Sequence, residues 1–112
     1  MNRQNKNGLD RGDNNPRLSE KHIEQKLVKE TKTWGGICPK LVSPGMDGMP
    51  DRMVLLQGGF IGFVEVKAPG KKPRPLQVKR HMQLRQLGFL VFILDDPEQI
   101  EKILREVQSW HT

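Results

Sequence analysis

Three residues in the stretch PDRMVLLQGGFIGFVEVK could do chemistry together: Asp51, Glu65 and Lys67. Glu65 and Lys67 lie two apart in a run with strand character, so alternation puts them on one face. Gln57-Gly58-Gly59, between two apolar runs, reads as a hairpin loop. If all three residues form the loop, Leu56 pairs with Phe60 and, counting outward, Asp51 comes opposite Glu65. Directly opposed carboxylates repel, so this register predicts a cation between them. Oxygen donors without a thiolate or imidazole cluster favour Mg²⁺ or Mn²⁺ over zinc. A lysine at the strand end can orient a water or stabilise charge developing on a phosphate oxygen. The chemistry this suits is metal-assisted phosphodiester hydrolysis. A two-residue loop would instead set Asp51 against Val66 and turn the acid to the other face. The plain structural alternative is an Asp at a strand start and a surface Glu–Lys pair. Pro-Asp one hairpin upstream and a basic helix downstream weigh against it.

The elements that must position these residues follow from periodicity and punctuation. Ser19 is suited to cap a helix running to about Thr33, with Ile23, Leu27 and Trp34 in one stripe and Val28 on its edge. Glu20 and Glu24 fall inside the same stripe, and an acid aimed at an apolar face needs a partner, a proton or a metal. Plainer roles are first-turn charge for Glu20 and a surface partner for Glu24. Gly35-Gly36 ends the helix, ICPKLV reads as a strand, and SPGMDGMP reads as a loop. Cys38 within that strand is expected to be a small buried hydrophobe and not a nucleophile.

Residues 51–56 and 60–67 then read as two strands, and APGKKPRP as a basic loop. Pro75 can open a helix over about 75–87 that Gly88 stops. FLVFIL suits a buried central strand. Asp96-Pro97 starts a last helix carrying Ile100, Ile103, Leu104 and Val107 at helical spacing. The order α-β-β-β-α-β-α predicts an α/β fold, a small mixed sheet flanked by helices on both faces. The strands on either side of the basic helix should be parallel, joined by a right-handed crossover. Lys67 then lies at the end of a parallel strand, where ligands of such sheets gather.

At 112 residues the chain has room for one domain, expected over 18–112 behind a flexible polar arm over 1–17. The arm has no apolar core of a secretory signal, and no run approaches the length of a membrane span, so a cytoplasmic protein without membrane contact is expected. The single cysteine precludes an internal disulfide, and His22, His81 and His111 lack zinc-ligand spacing. The absence of tyrosine rules out a covalent phosphotyrosyl intermediate.

Net charge is +6, and it is concentrated. From Val66 to Leu94 there is no acid, while Lys67, Lys71, Lys72, Arg74, Lys79, Arg80 and Arg85 supply seven positive charges, leaving −1 for the rest. A merely solvated face usually mixes signs. The segment is therefore expected to contact phosphates, with Lys71, Lys72, Arg74, Lys79 and Arg80 as its DNA-binding residues.

The series Glu20…Pro50-Asp51…Glu65-Val66-Lys67…Gln77 resembles the PD-(D/E)xK nuclease superfamily. The surrounding SPGMDGMPDR and GGFIGFVEVKAPGKKPRPLQ resemble more narrowly the VRR-Nuc (virus-type replication-repair nuclease) domain in its standalone form. The resemblance implies a restriction-endonuclease-like core in which Asp51 and Glu65 ligate the divalent ion with the Val66 carbonyl. It implies that Lys67 is the catalytic lysine and that Gln77 helps to position the phosphate or water. Its pattern assigns the first-helix acid to Glu20, with Glu24 as the alternative. Met49 stands where a branched aliphatic is more usual.

A metal-dependent DNA endonuclease is therefore expected. The resemblance further implies 5′-phosphate and 3′-hydroxyl products, a phage source, and a Holliday-junction resolvase working as a homodimer on branched DNA in recombination and repair. Candidate dimer surfaces are the C-terminal helix with Trp110 and the exposed sheet edge. Two alternatives are a non-catalytic nucleic-acid-binding module, using the basic segment alone, and an accessory subunit of a replication or repair complex.

Overall fold

The computed structural model describes residues 19–110, so the expected arm over 1–17 lies outside the described residues. Helix α1 spans Glu20–Thr33, strands β1 and β2 span Arg52–Leu56 and Phe60–Val66, and helix α2 spans Pro75–Gln86. Strand β3, Leu90–Leu94, is followed by a 3₁₀ turn over Pro97–Gln99 and helix α3 over Ile100–Gln108. Among the described residues no helix is long and apolar enough to cross a membrane.

Local chemistry sets the boundaries. The Ser19 hydroxyl accepts from the His22 amide at 3.1 Å, satisfying one of the donors left free at the start of α1. At the other end Gly35 takes φ +80°, and the Gly36 amide donates to the Thr31 carbonyl. Pro75 opens α2, and the Asp96 carboxylate accepts from the Glu98 amide at 2.9 Å to start the 3₁₀ turn.

The hairpin loop is the three residues Gln57-Gly58-Gly59, with φ of +93° at Gly58 and +83° at Gly59. It sets an antiparallel register from Leu56↔Phe60 to Arg52↔Val64. β2 pairs in parallel with β3 across the α2 crossover, giving a mixed sheet in the order β1-β2-β3.

Two strand expectations are corrected. The segment ICPKLV makes only two isolated antiparallel bridges onto β1, Ile37 to Leu55 and Lys40 to Arg52. Pro39 stands between them: its carbonyl accepts from the Met53 amide, but it has no N–H to continue the ladder. β3, expected as a central strand, is an edge strand; β2 is central. The apolar run of β3 serves both sheet faces. Leu94, Leu90 and Phe92 join one core and Val91 the other, while Phe89 and Ile93 are 41% and 37% exposed.

Helices cover both faces of the sheet. Ile23 and Leu27 of α1 and Ile100, Ile103, Leu104 and Val107 of α3 pack with Val54, Leu56, Val64 and Val66. At Gly62 a Cβ would come within 2.6 Å of Val107, so α3 approaches this face as closely as a glycine allows. On the opposite face Leu84 of α2 packs with Phe63 and Val91, and Met53, Ile61, Leu41 and Met49 complete that core. Strand alternation puts Glu65 on the α2 face together with Phe63 and Ile61.

Candidate active site

The register that sets Arg52 against Val64 brings Asp51 opposite Glu65 at the next step. The ladder stops there, and the Asp51 side chain takes over from the backbone. Its Oδ2 accepts from the Val66 amide at 2.8 Å, while its own carbonyl accepts from the Leu41 amide. The preceding loop is fastened to α2. Gly48 at φ +85° passes so close that a Cβ would lie 2.7 Å from the Leu76 carbonyl oxygen. Arg80 Nε also donates to the Asp47 carbonyl at 2.9 Å. Asp51 is thus delivered by a segment held at both ends.

Glu65 is 1% exposed, wedged between β2 and α2. Gln77 Nε2 donates to Glu65 Oε2 at 3.0 Å, and Gln77 Oε1 accepts from the Arg74 amide at 2.8 Å. One side chain therefore caps the start of α2 and grips the carboxylate. Lys67 Nζ stands 3.6 Å from the same Oε2, with its backbone fixed by an N–H bond to the Leu94 carbonyl. On the other oxygen, His81 Nε2 lies 3.4 Å from Oε1. Oε1 and both imidazole nitrogens are buried and have no hydrogen-bond partner among the described residues.

Burial dominates the electrostatics of the site. Burial, and after it the Asp51 carboxylate, pushes the Glu65 carboxyl from 4.5 up to about 7; Lys67 offsets only part of this. His81 is pushed down by burial and by the Arg85 and Lys67 charges. Its contact with Glu65 at neutral pH is therefore one of a neutral imidazole, not an ion pair.

A hard divalent cation fits these residues, because it would offset the burial and the Asp51 repulsion that lift Glu65 and would meet two oxygen donors. The Val66 amide points at Asp51, so the Val66 carbonyl leaves the strand on that same side. Among the described residues no group of three His, Cys, Asp or Glu is placed to hold an ion.

Asp51, Glu65, Lys67 and Gln77 are brought together; the α1 acids are not. The expectation that both turn inward holds for Glu24, which finds a partner on the sheet, and is corrected for Glu20. Glu20 is exposed in the first turn, where the dipole favours an acid. Glu24 pairs with Arg52 Nε at 2.8 Å, and Arg52 shares its sheet face with Val54 and Leu56, opposite to Glu65. Arg52 also donates to the Cys38 carbonyl at 3.0 Å. Cys38 itself is buried, and its thiol is pushed up to about 11, foremost by desolvation, so it stays protonated.

Lys71, Lys72, Arg74 and Lys79 are exposed along the loop and first turns leading away from the site. Arg80 is half-buried and spends its guanidinium on Asp47 and on Gln83 Oε1 at 2.7 Å. The residue that sequence reasoning passes over is His81, which counts there only as one of three scattered histidines. Its place four residues after Gln77 and three before Leu84, on the one buried stripe of a basic helix, is the signal that could have found it.

No protein-family model matches the sequence. The chain is 49% identical over 81 residues to "Putative nuclease p44" of Acyrthosiphon pisum secondary endosymbiont phage 1, a match covering 72% of this chain and 87% of that protein. Its fold superposes on a solved structure described as a VRR_NUC domain with a TM-score of 0.73 and 33% identity, over 77% of this chain and 94% of the other. With half the residues shared across most of one relative and the same arrangement of sheet and helices as the other, the chain belongs to the VRR-Nuc family of nucleases.

Proposed function

We propose that this chain is a Mg²⁺- or Mn²⁺-dependent DNA endonuclease whose reaction centre is built on Asp51, Glu65 and Lys67. The observation that carries the reading is a buried carboxylate, Glu65, set opposite Asp51 at the end of the hairpin with Lys67 Nζ 3.6 Å from its Oε2. When bound, a divalent ion supplies Lewis-acid stabilisation to a phosphodiester undergoing hydrolysis. Asp51 and Glu65 would hold it, with the Val66 carbonyl as a third donor. Lys67, mostly buried but ending at the rim, brings its ammonium to negative charge developing on a phosphate oxygen. Gln77 keeps Glu65 from turning away, and Lys71, Lys72, Arg74 and Lys79 take flanking phosphates. Arg80 serves the same face by holding the Asp51 loop.

Branched DNA as substrate, and a homodimer as the working unit, extend this reading. Two features support the dimer. Among the described residues β3 leaves an unpaired edge, and at the hairpin end a groove of about 540 Å³ is lined by Phe60, Phe89 and the 44% exposed Trp110.

The test is a labelled four-way junction and a linear duplex of the same sequence, each incubated with the purified chain in Mg²⁺, Mn²⁺ or EDTA. Metal-dependent cleavage, with paired nicks on the junction, is the expected result. Cleavage that persists in EDTA, or that runs at the wild-type rate in Lys67→Ala, contradicts the proposed centre. Binding without cleavage in any metal favours a non-catalytic nucleic-acid-binding module or an accessory subunit.

A further inference from the structure

The centre as described makes no use of His81, yet its position is costly. The Gln77–His81–Leu84 stripe of α2 is buried against the sheet, and His81 is 1% exposed with both ring nitrogens lacking partners among the described residues. A leucine there would fill the space without stranding a polar atom, so a buried, unsatisfied imidazole requires a reason. The atom it faces supplies one. Glu65 Oε2 meets Gln77 at 3.0 Å and Lys67 at 3.6 Å, whereas Oε1 has no hydrogen-bond partner among the described residues and faces His81 Nε2 at 3.4 Å. The terminal torsion of a glutamate is broad, so holding one oxygen leaves the carboxylate plane free to rock.

We propose that His81 is a positioning residue: its Nε2–H faces Glu65 Oε1 and, with Gln77 on Oε2, fixes the plane in which Glu65 meets a divalent cation. A neutral ring has one N–H, so the role requires the Nε2–H tautomer and leaves Nδ1 as the stranded lone pair. Partners of this kind orient ligands without touching the ion. The inference rests on Glu65 being a ligand, and its test separates the two claims.

Mn²⁺ affinity of the full chain, without DNA, is measured for wild type, Glu65→Gln, His81→Leu and His81→Gln, the last keeping a donor near the Nε2 position. Expected is loss of binding in Glu65→Gln, weakening by about 10–100-fold in His81→Leu, and recovery to within about threefold of wild type in His81→Gln. The metal-free protein at pH 8.5 gives a second readout: long-range proton–nitrogen NMR correlations should show the hydrogen of His81 on Nε2. If Glu65→Gln loses the ion while His81→Leu binds like wild type, the positioning role is wrong and the site stands. Equal losses in both His81 variants mark a packing role and overturn it, as does a hydrogen on Nδ1. Full affinity in Glu65→Gln overturns the ligand assignment and the inference together.

Discussion

Replacing Glu65 by Gln tests the electrostatics of the centre before any metal is added. In the folded protein this carboxyl is raised from 4.5 to about 7, first by burial and then by Asp51. In the unfolded chain it ionises near its ordinary value. Between pH 4.5 and about 7 the folded state therefore binds a proton that the unfolded state has released. Stability from this group is complete below that window and is lost as pH rises through the folded value. At about 1.4 kcal/mol per tenfold change in proton affinity, the loss reaches about 3 kcal/mol by pH 8. Glu65→Gln has nothing to ionise, and its amide oxygen can still accept from Gln77. Urea unfolding in EDTA should show the variant gaining on wild type as pH rises, from near zero at pH 4.5 to about 3 kcal/mol at pH 8. Mg²⁺ at pH 8 should then raise wild type alone, by about 2.7 kcal/mol at a hundredfold excess over Kd. Parallel stability curves for the two proteins from pH 5 to 8 would refute the reasoning.

Lys67→Ala should lower kcat by about 10²–10³ while leaving DNA affinity within a few-fold, as expected when a group acts on charge that develops in the transition state. Single-turnover cleavage beside equilibrium binding checks this. Neutralising Lys71, Lys72 and Arg74 should flatten the log–log salt dependence of duplex binding by about 0.9 for each phosphate these residues neutralise; an unaltered slope excludes the loop. Glu20→Ala should leave metal-dependent cleavage within about threefold of wild type, since exposed side chains away from a site contribute little. Glu24→Ala should cost about 1–3 kcal/mol in urea unfolding by stranding half-buried Arg52.

The part of the site built on the hairpin is legible in the sequence because one local feature sets it. Gln57-Gly58-Gly59 can close only a few ways, and the loop it forms carries Asp51 to Glu65 by counting alone. Gln77 comes from resemblance, and its double hydrogen bond to Arg74 and Glu65 emerges only in three dimensions. The α1 acids mislead because helical angles say which stripe faces the core, not which side of the sheet that core lies on. Glu20 overhangs the helix start, and Glu24 meets Arg52 on the far face. β3 looks central because FLVFIL is apolar throughout, but helices on both faces give an edge strand apolar neighbours on two sides as well. The strand expected over 37–42 fails at Pro39, where a missing N–H breaks the ladder. Arg80 looks like one more cation in a basic run, and only the loop brought to it by Gly48 shows that it is already engaged.

The most direct measurement is a crystal structure of the chain soaked in Mn²⁺, read by anomalous scattering. The account predicts one strong peak bridging the Asp51 and Glu65 carboxylates beside the Val66 carbonyl, with Lys67 at its rim. A peak on Glu20 or Glu24, or none between Asp51 and Glu65 at saturating Mn²⁺, would contradict it.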